Sequence, residues 1–312
     1  MRYSRQELLI GKKSQKKLSK AKVCIVGIGA LGTVTSELLT RAGIGELVLI
    51  DRDFVELHNL QRQSLYDQKD IGKPKAMQAK KKLVKINDEI KIKCHVTDLD
   101  HSNINLLNSD LIIGCTDNLE SRFLIDEYCT KNNIPWIYGA AIGSKGFIMN
   151  IMPNHIPFKS IFKEATNLGT CDTVGIINTN SFLIGTLIAN ETIKIIIGKE
   201  YEKNLIFIDM WKNEFKKIKL NKNTKYIENF EYLSGKKQTK IAKLCGTGMY
   251  QFKEKKINFN ELKFNLSKNK EFIDSGYCFH YNEFTVFKDG RIFVKAKDKN
   301  DAKKKYNKFI GS

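Results

Sequence analysis

The residues best suited to chemistry in this 312-residue chain are carboxylates, amides and cations that follow predicted strands. A site of this composition can hold a triphosphate, spread the developing charge and position an attacking group. A carboxylate nucleophile is already ionised at neutral pH, so its attack on the α-phosphate of a nucleoside triphosphate needs no general base. The candidates are Asp51, Asp53, Asn59, Arg62, Lys75, Asp117 and Asn118, with Arg5 available from the N-terminal segment.

Each charge type in this set suggests its own role. Arg62 and Lys75 are expected to grip phosphates, because guanidinium and ammonium groups form charge-assisted hydrogen bonds with them. Asp117 is expected to hold magnesium, a hard cation that prefers carboxylate and phosphate oxygens. Taken singly, Lys75 or Arg5 could equally be a solvated surface charge. An NAD-dependent oxidoreductase is disfavoured, because hydride transfer calls for a catalytic acid or base beside the nicotinamide.

A nucleotide-binding motif begins upstream of most of these residues. The apolar run Lys22–Val26 predicts a buried parallel strand. It leads into Gly27–Gly32, a G-x-G-x-x-G turn, and helical spacing continues over Leu31–Ala42. A second apolar strand, Leu47–Ile50, ends at Asp51. Strand, turn, helix, strand and acid therefore occur in the order of a nucleotide-binding βαβ unit.

The glycines of this turn have distinct physical roles. Gly27 permits the tight turn, Gly29 lets the backbone approach a phosphate, and Gly32 lets helix and strand pack closely. The helix N-terminus offers free N–H groups and a positive dipole end to an anion. Asp51 lies 24 residues after Gly27, about where an acid accepts hydrogen bonds from ribose hydroxyls. A glycine-rich turn without a ligand is the alternative.

Strands and helices alternate along the chain as far as Tyr138. This pattern predicts an α/β fold with a Rossmann-like, doubly wound and mostly parallel sheet. Later strands follow one another without intervening βα units and predict an antiparallel extension. The further predicted strands are Ile90–Val96, Leu111–Cys115, Pro135–Tyr138, Gly146–Met152, Leu205–Met210 and Glu214–Leu220.

A long apolar helix is predicted over Ser181–Ile197. The polar residues Asn190, Glu191 and Lys194 interrupt it, which argues against a membrane span. One face of this helix is expected to be an ordinary core stripe or a dimer seam. That face carries Phe182, Thr186, Ala189, Ile193 and Ile196.

Changes of composition and pattern divide the chain into a nucleotide-binding domain, a polar lysine-rich linker and a small α+β C-terminal domain. In the small domain, Phe284–Phe287 and Arg291–Lys295 predict a β-hairpin. Asp289 and Gly290 between them are the pair that a type I′ turn prefers. The three predicted segments are residues 1–220, 221–244 and 245–312.

Composition narrows the class of protein. The seven cysteines are odd in number and form no C-x-x-C pair, which favours reduced thiols and a cytoplasmic protein. The formal net charge of +19 invites a nucleic-acid hypothesis, but the lysines are spread over helix faces and loops. We therefore do not expect nucleic acid as the primary ligand, although a tRNA substrate stays open. An acidic protein partner fits the same charge equally well.

Short motifs recur in order along residues 1–220. They are R-Y-S-R-Q at 2–6, G-I-G-A-L-G at 27–32, D-R-D at 51–53, N-L-Q-R-Q at 59–63, G-K-P-K at 72–75 and C-T-D-N at 115–118. Together they resemble the ThiF/MoeB/HesA family, the bacterial and archaeal branch of ubiquitin-activating enzymes. The resemblance implies a homodimer that uses magnesium and ATP to adenylate the C-terminal glycine of a ubiquitin-like sulfur carrier ending in Gly-Gly. The sulfur would go to thiamine, molybdopterin or tRNA.

The resemblance also implies roles for individual residues. Asp51 takes the ribose, and Asp117 binds magnesium beside Asn118. Arg5 reaches the triphosphate in the partner subunit's site, which would explain an arginine so near a terminus. The other nucleotide-binding residues are Gly27, Gly29, Ala30 and Gly32 of the turn, Asp53, and the phosphate ligands Asn59, Arg62 and Lys75.

Cys171 lies in a predicted loop over residues 154–178, which is unusually long for a compact domain and therefore a functional candidate. It matches the position where some family members have a cysteine that bonds covalently to the activated carrier. A thiolate there could take the acyl group or join a persulfide chain. A loop cysteine without chemistry is the alternative.

The chain departs from the family at the structural zinc site. Many members hold zinc with two C-x-x-C pairs, but Phe158 and Ile161 take the places of the first pair. The second pair reads Ala242 and Cys245, and one ligand of four cannot make a closed tetrahedral site. We therefore expect no structural zinc, and apolar packing of Phe158 and Ile161 instead.

Two alternatives to carrier adenylation remain at this level. An enzyme of the same family could adenylate another carboxylate or carbonyl, such as a peptide C-terminus or a modified tRNA base. A non-enzymatic scaffold could bind a nucleotide and a carrier without turnover. ATP–pyrophosphate exchange that depends on a carrier would separate these alternatives.

Overall fold

The computed structural model describes residues 1–153, 158–162, 174–220, 229–237, 241–243, 248–252 and 257–310. The chain divides into two compact units, Met1–Lys237 and Gln238–Ser312, each with its own hydrophobic core. The predicted linker contributes to both units. Tyr232 and Leu233 pack against a core cluster of the first unit, and Ile241–Lys243 is a strand of the second. The segment was predicted to be a linker because it is mostly polar, but apolar side chains within it belong to the core of one unit or the other.

Eight strands of the first unit form one sheet within the described residues. They are β1 Lys22–Val26, β2 Glu46–Ile50, β3 Lys91–His95, β4 Leu111–Gly114, β5 Trp136–Ile142, β6 Lys145–Ile151, β7 Leu205–Asp209 and β8 Glu214–Ile218. Their order across the sheet is β3-β2-β1-β4-β5-β6-β7-β8. The pairings from β3 to β5 are parallel and those from β5 to β8 are antiparallel. The predicted doubly wound sheet with an antiparallel extension is confirmed.

Both faces of this sheet are buried. Successive side chains of a strand point to opposite faces, and β1 divides accordingly. Val23 and Ile25 belong to one core cluster, whereas Cys24 and Val26 belong to another. The helices that supply the rest of these clusters and their connections are α1 Ser4–Ile10, α2 Lys12–Leu18, α3 Ala30–Ala42, α4 Lys75–Ile86, α5 Leu119–Asn132, α6 Phe158–Ile161 and α7 Asn178–Ile197. Single 3₁₀ turns lie at Leu57–Asn59, Gln68–Asp70 and Ile104–Leu107.

The predicted stripe of α7 is buried in part: Ala189 is buried, and Ile193 and Ile196 pack against the core, whereas Phe182 is 41% exposed and Thr186 is also exposed. Ile184 and Ile188 are fully buried as well. Gly185 lies between them, and an added Cβ there would lie 2.8 Å from the Cβ of Val34. Helices α7 and α3 therefore pack through a glycine, which a pattern based on large apolar residues does not weight.

Among the described residues, α7 is the one helix long and apolar enough to cross a membrane by length and composition. Half of its most apolar window is buried within the protein. Its Glu191 is buried as well and accepts hydrogen bonds from Asn150 Nδ2 at 2.6 Å and the Glu202 N–H at 2.9 Å. In this structure α7 is packed as a core helix of the first unit.

The second unit is built on an antiparallel sheet. Its strands are β9 Ile241–Lys243, β10 Met249–Phe252, β11 Phe272–Asp274, β12 Cys278–Tyr281, β13 Phe284–Phe287 and β14 Ile292–Lys295, in the order β11-β12-β13-β14-β10-β9. The helices α8 Phe259–Leu266 and α9 Lys299–Ile310 complete it. Helix α9 packs through Tyr306, which stacks on Phe252 at 4.1 Å between ring centroids. The predicted α+β character of this unit is thereby observed.

The predicted hairpin of the second unit is present, but its turn differs from type I′. Asp289 lacks the positive φ that this turn requires, whereas Gly290 has a φ of +86°. The Gly290 N–H donates to the Phe287 carbonyl at 3.0 Å, and the Phe287 N–H donates to the Arg291 carbonyl at 2.9 Å. This is the pattern of a three-residue loop with a left-handed glycine. Asp289 instead accepts a hydrogen bond from Arg291 Nε at 2.7 Å.

Candidate nucleotide site

The glycine turn between β1 and α3 is under strict steric limits. Gly27 has a φ of +91°, and a Cβ there would lie 2.6 Å from the Cys115 carbonyl oxygen. A Cβ at Gly32 would lie 2.0 Å from the Gly27 carbonyl oxygen. At Gly29, the Nε2 of Gln63 at 3.7 Å is the one described atom within 4 Å of an added Cβ. The space above Gly29 is therefore open to a ligand.

The same turn presents the N-terminus of α3. Gly29 is the N-cap and Ala30 is the first helical residue, so no cap side chain satisfies the N–H groups of the first turn. The aligned peptide dipoles of the 13-residue helix place a partial positive charge at this end. An open space at a helix N-terminus with unsatisfied donors is suited to a phosphate.

The carboxylate of Asp51 lies buried beside the turn, at the end of β2. Its Oδ2 accepts a hydrogen bond from the Ile28 N–H at 2.6 Å, and its Oδ1 accepts one from the Asp53 N–H at 2.7 Å. Burial, together with the neighbouring charge of Asp53, raises the pKa of Asp51 to about 6. Asp51 is therefore mainly ionised at neutral pH, and its carboxylate oxygens can accept further hydrogen bonds from a diol.

Lys75 begins α4 and is buried at the same edge of the sheet. Its N–H donates to the Asp53 carbonyl at 2.9 Å, and its Nζ lies 3.6 Å from Asp53 Oδ2. Burial alone would lower the pKa of Lys75, but the carboxylates of Asp53, Asp51 and Asp117 raise it. The ammonium group is thus held charged, as a phosphate ligand must be.

Asn59 and Arg62 lie on the loop between β2 and α4. Asn59 is buried in the 3₁₀ turn, where its Oδ1 accepts a hydrogen bond from the Glu56 N–H at 3.1 Å. Arg62 is half-buried, and its Nη1 donates to the His58 carbonyl at 2.8 Å. Both side chains are thereby anchored to their own loop, next to the segment that leads into Lys75.

Asp117 and Asn118 follow β4, the strand beside β1. Asn118 is the N-cap of α5, and its Oδ1 accepts a hydrogen bond from the Ser121 N–H at 2.7 Å. Asp117 is exposed, and its charge contributes to the raised pKa of Lys75. The structure therefore brings the glycine turn, Asp51, Asp53, Lys75 and Asp117 to one edge of the sheet.

Two further residues at this edge were not among the candidates chosen from the sequence: the neutral Tyr66, and Arg52, whose charge is paired with an acid. The Tyr66 hydroxyl lies 2.8 Å from the Ile28 carbonyl oxygen and 3.2 Å from that of Lys75, so it joins the glycine turn to α4. Burial raises the pKa of Tyr66 well above its usual range, so the hydroxyl keeps its proton. Arg52, the central residue of D-R-D, pairs with Asp98 at 3.1 Å. Arg52 could have been selected from the sequence because it lies within the D-R-D motif. Tyr66 could not, because it carries no charge and belongs to no motif.

Arg122 on α5 is a further residue that sequence reasoning missed. Its Nε and Nη2 donate to the Thr116 carbonyl at 3.2 and 2.7 Å. Its guanidinium lies 5.0 Å from the centroid of the Tyr138 ring. Arg122 therefore fixes the backbone immediately before Asp117. Its partner is a backbone carbonyl six residues earlier, a contact that no motif in the sequence indicates.

Two candidates are not joined to this cluster. Arg5 is exposed on α1, and its side chain makes no hydrogen bond or ion pair with any described residue of its own chain. Its role in a partner subunit's site stays a prediction. Cys171 lies outside the described residues, so its role stays a prediction too.

The place of the first zinc-ligand pair is occupied by an aromatic cluster. Phe158 is fully buried, with ring centroids 4.8 Å from Tyr138 and 4.5 Å from Phe162. Ile161 packs against the same core cluster. No group of three or more His, Cys, Asp or Glu residues suited to a metal occurs in the part of the chain that the structure describes. These residues do not fit zinc; Cys245 lies outside that part.

Two adjacent carboxylates of α5 hold this aromatic segment in place. Asp126 is buried and accepts hydrogen bonds from the N–H groups of Phe158 and Lys159, each at 3.0 Å. Glu127 is also buried; it accepts from Lys159 Nζ at 3.0 Å and from the Leu233 N–H at 2.8 Å. Burial raises the pKa of Asp126 to about 6. One turn of α5 thus anchors both the start of the long loop and the segment around Leu233.

The doubly wound sheet, the glycine turn and the acid at the end of β2 define a nucleotide-binding α/β protein. A model of the ThiF family matches residues 3–229, and the chain belongs to this family. The family predicted from the motifs is therefore confirmed.

Several characterised relatives are similar to this chain. One is the sulfur carrier protein ThiS adenylyltransferase of Bacillus subtilis, with 35% identity over 99% of each chain. Another is the molybdopterin-synthase adenylyltransferase of Haemophilus influenzae, with 34% identity over 72% of this chain and 96% of the relative. The crystal structure of E. coli MccB with ATP shares the fold, with a TM-score of 0.63, 24% identity and coverage of 71% of each chain.

Proposed function

We propose that this protein is an adenylyltransferase that uses magnesium and ATP to activate the C-terminal glycine carboxylate of a small ubiquitin-like sulfur carrier. The observation that carries the proposal is the buried, charged Lys75 beside Asp53, at the same edge as an open glycine turn. A charged cation at this position favours a triphosphate site, where it stabilises phosphate charge, over a hydride-transfer site. The names of the relatives support the same reaction and the same class of substrate.

The geometry indicates how ATP is held. Asp51 would accept hydrogen bonds from the ribose hydroxyls, since its carboxylate is ionised above about pH 6. Asp51 also holds the Ile28 N–H, so the ribose would lie next to the open space above Gly29. The phosphates would run from that space toward Lys75 and Arg62. Asn59 would contribute an amide from the same loop.

Magnesium fits the remaining acid of the cluster. Asp117 is an exposed carboxylate at the tip of β4, and magnesium is usually bound by one or two carboxylates together with substrate phosphates and water. When bound, the ion would neutralise charge on the phosphates. Asp117 would hold it, and Arg122 would keep the adjacent backbone in place.

The reaction itself needs little from the protein beyond positioning. An oxygen of the carrier's C-terminal carboxylate attacks the α-phosphorus, the bond to the β-phosphate oxygen breaks, and pyrophosphate leaves. No proton is transferred, so no general base is required. Lys75 and Arg62 would stabilise the charge that develops on the leaving pyrophosphate.

An open cavity lies beside the nucleotide loop. A cavity of about 430 Å³ is lined by Gln61 of that loop, Gly143 of the β5–β6 turn and Trp211 of the β7–β8 turn. Trp211 is 73% exposed, and Phe215 and Ile218 on the edge strand β8 are exposed too. Lys216 and Lys217 of the same strand are exposed as well. We infer that a carrier docks on this mixed apolar and basic edge and passes its glycine tail through the cavity.

Three further assignments belong to the same proposal. The enzyme would be a homodimer in which Arg5 of one subunit serves the site of its partner. Cys171 would react with the activated carrier after adenylation. The free thiols of Cys24, Cys94, Cys115, Cys129 and Cys278 among the described residues are in keeping with a cytoplasmic protein.

ATP–pyrophosphate exchange that depends on a carrier ending in Gly-Gly tests the proposal. Exchange should fall at least about 100-fold in Asp117→Ala and in Arg62→Ala, because each removes a group that faces the phosphates. Lys80→Ala, on the exposed face of α4, is the matched control and should leave exchange unchanged. Exchange that persists in both site variants, or that requires a peptide or a tRNA in place of the carrier, would contradict the proposal.

Cys171→Ala separates the thiol from the adenylation site. Exchange should be retained, because the thiol would act after the adenylate forms. The covalent carrier adduct should be lost in denaturing electrophoresis without reductant. A variant that keeps both exchange and the adduct would show that Cys171 has no such role.

A further inference from the structure

One polar side chain at the glycine turn has no role in the site as described. Gln63 is 4% exposed, and its Oε1 is buried without a hydrogen-bond partner. No described residue accepts a hydrogen bond from its Nε2, which lies 3.7 Å from the position of a Cβ at Gly29. The N–H groups of this Nε2 are therefore available to a ligand whose oxygen accepts a hydrogen bond.

The backbone fixes where Gln63 points. Its N–H donates to the Asn59 carbonyl at 3.1 Å, and its carbonyl accepts from the Tyr66 N–H at 3.2 Å. Tyr66 in turn contacts the Ile28 carbonyl, one residue before Gly29. These backbone bonds place Gln63 beside the glycine turn, where its Nε2 lies 3.7 Å from the position of a Cβ at Gly29, while Arg62, its neighbour in sequence, is bonded to the His58 carbonyl.

The phosphate that would meet this carboxamide follows from connectivity. Asp51, the predicted ribose ligand, is hydrogen-bonded to the Ile28 N–H. In ATP the α-phosphate is the one joined directly to the ribose. The α-phosphate would therefore occupy the open space above Gly29, and the β- and γ-phosphates would extend toward Lys75.

We propose that Gln63 is a catalytic residue whose Nε2 donates a hydrogen bond to a non-bridging oxygen of the α-phosphoryl group during attack. This inference rests on the proposed adenylation. A preorganised neutral donor stabilises charge that develops on the reacting group without adding another cation beside Lys75 and Arg62. With this hydrogen bond, the N-L-Q-R-Q segment would contact the α-phosphoryl group under attack through Gln63 and the leaving pyrophosphate through Asn59 and Arg62.

Two variants of Gln63 distinguish this role from simple packing. Gln63→Met keeps the length and burial of the side chain but removes the donor. Gln63→Glu replaces the donor with a carboxylate, which regains an O–H donor only when protonated. Gln68→Met, an exposed residue of the next 3₁₀ turn, is the control. Carrier-dependent exchange is measured with each protein over a range of ATP concentration and pH, alongside the melting temperature.

The expected result is a loss in kcat rather than in affinity. Gln63→Met should lower kcat about 100- to 1,000-fold with less than a tenfold change in KM for ATP. Gln63→Glu should be slower still at neutral pH, and its rate relative to the wild type should recover as the pH falls, because protonation of Asp51 affects both proteins alike. A packing role would not produce this pH-dependent recovery, even if Gln63→Met were less stable.

Each contrary outcome has its own meaning. Wild-type rates in Gln63→Met, or a rise in KM with kcat unchanged, would overturn the catalytic role and leave adenylation standing. A Gln63→Glu variant without recovery at low pH would overturn the hydrogen-bond donor. A wild type without carrier-dependent exchange would overturn both the proposed function and this inference.

Discussion

At the scale of single residues, the two acids of D-R-D have different environments. Asp51 is buried, and its carboxylate is tied to the backbone of the glycine turn and of Asp53. Asp53 is half-exposed and faces Lys75 and Arg52. Two acids that follow the same strand thus have different proposed roles. Asp51 would hold the nucleoside, and Asp53 helps to keep Lys75, the proposed phosphate ligand, charged.

The raised pKa of Asp51 predicts a pH-dependent stability. Its pKa is about 6 in the folded chain and 3.8 ordinarily, so the folded state binds the proton more tightly. The contribution to stability is full below about pH 4 and is lost as the pH rises through about 6. Urea unfolding should therefore show wild type losing about 2–3 kcal/mol relative to Asp51→Asn between these limits. A constant difference between the two proteins would contradict the raised pKa.

The charged residues of the site were predictable from the sequence, whereas the neutral ones were not. Asp51 and Asp117 follow recognisable strands, Lys75 begins a recognisable helix, and their charge already suggests a ligand. Tyr66 and Gln63 carry no such mark. Their roles depend on burial and on which carbonyl lies nearby, and these follow only from the packing of the loop.

At the scale of elements, two glycines of the turn into α3 allow the effects of packing and of ligand binding to be tested separately. Gly32→Ala places a Cβ 2.0 Å from the Gly27 carbonyl, so we expect a loss of about 1–3 kcal/mol in unfolding free energy. Gly29→Ala meets no backbone within 4 Å and should fold normally, but its methyl group fills the phosphate space. Thermal melting and ATP titration calorimetry check the pair. A Gly29→Ala protein that binds ATP like wild type would contradict the placement of the phosphate.

The anchor on α5 predicts a large stability effect far from the nucleotide. Glu127→Ala removes the acceptor for the Leu233 N–H and leaves Lys159 without its partner, so unfolding free energy should fall by about 3 kcal/mol. Lys131→Ala, exposed on the same helix, is the control and should change little. Denaturant unfolding gives both values. Equal stability of the two variants would show that the anchor is unimportant.

The apolar packing of the segment that this anchor holds predicts that zinc does not change the stability of the protein. Phe158 and Ile161 supply apolar packing where other family members have cysteines. A chelator or added zinc should therefore leave the melting temperature unchanged. Stoichiometric, tightly bound metal in the purified protein would contradict this prediction.

Regular elements were predicted to within a few residues, and the exceptions have steric causes. Strand β5 was expected to end at Tyr138 but continues to Ile142. Gly139, Ala140 and Ala141 are small, and α7 crosses Gly139 closely: a Cβ there would lie 2.4 Å from Ile188 Cδ1. Such a run looks like a loop in sequence, although it is a strand under a helix.

At the scale of the whole molecule, the second unit was the least predictable. Its hairpin was visible because Asp289 and Gly290 mark the turn, whereas β9 to β12, which are equally short, have no Asp-Gly or Asn-Gly pair between them. No alternation develops over so short a run. The first unit, in which strands and helices alternate, was recognisable from pattern and motif together.

The division into two units predicts the result of a truncation. A chain ending at Lys237 keeps the first unit's sheet, core clusters and candidate site. The Haemophilus influenzae relative spans a similar length, since 72% of this chain covers 96% of it. The truncated chain should therefore fold cooperatively and keep most of the carrier-dependent exchange rate. A chain that is insoluble or inactive would show that the first unit depends on the second.

Direct detection of the carrier adenylate tests the central claim most simply. The enzyme is incubated with magnesium, a carrier ending in Gly-Gly and ATP labelled at the α-phosphate. The label should appear on the carrier's terminal carboxyl group, with one pyrophosphate released per adenylate, and should be absent with Asp117→Ala. An unlabelled carrier in the presence of wild-type enzyme, or release of phosphate in place of pyrophosphate, would contradict the account.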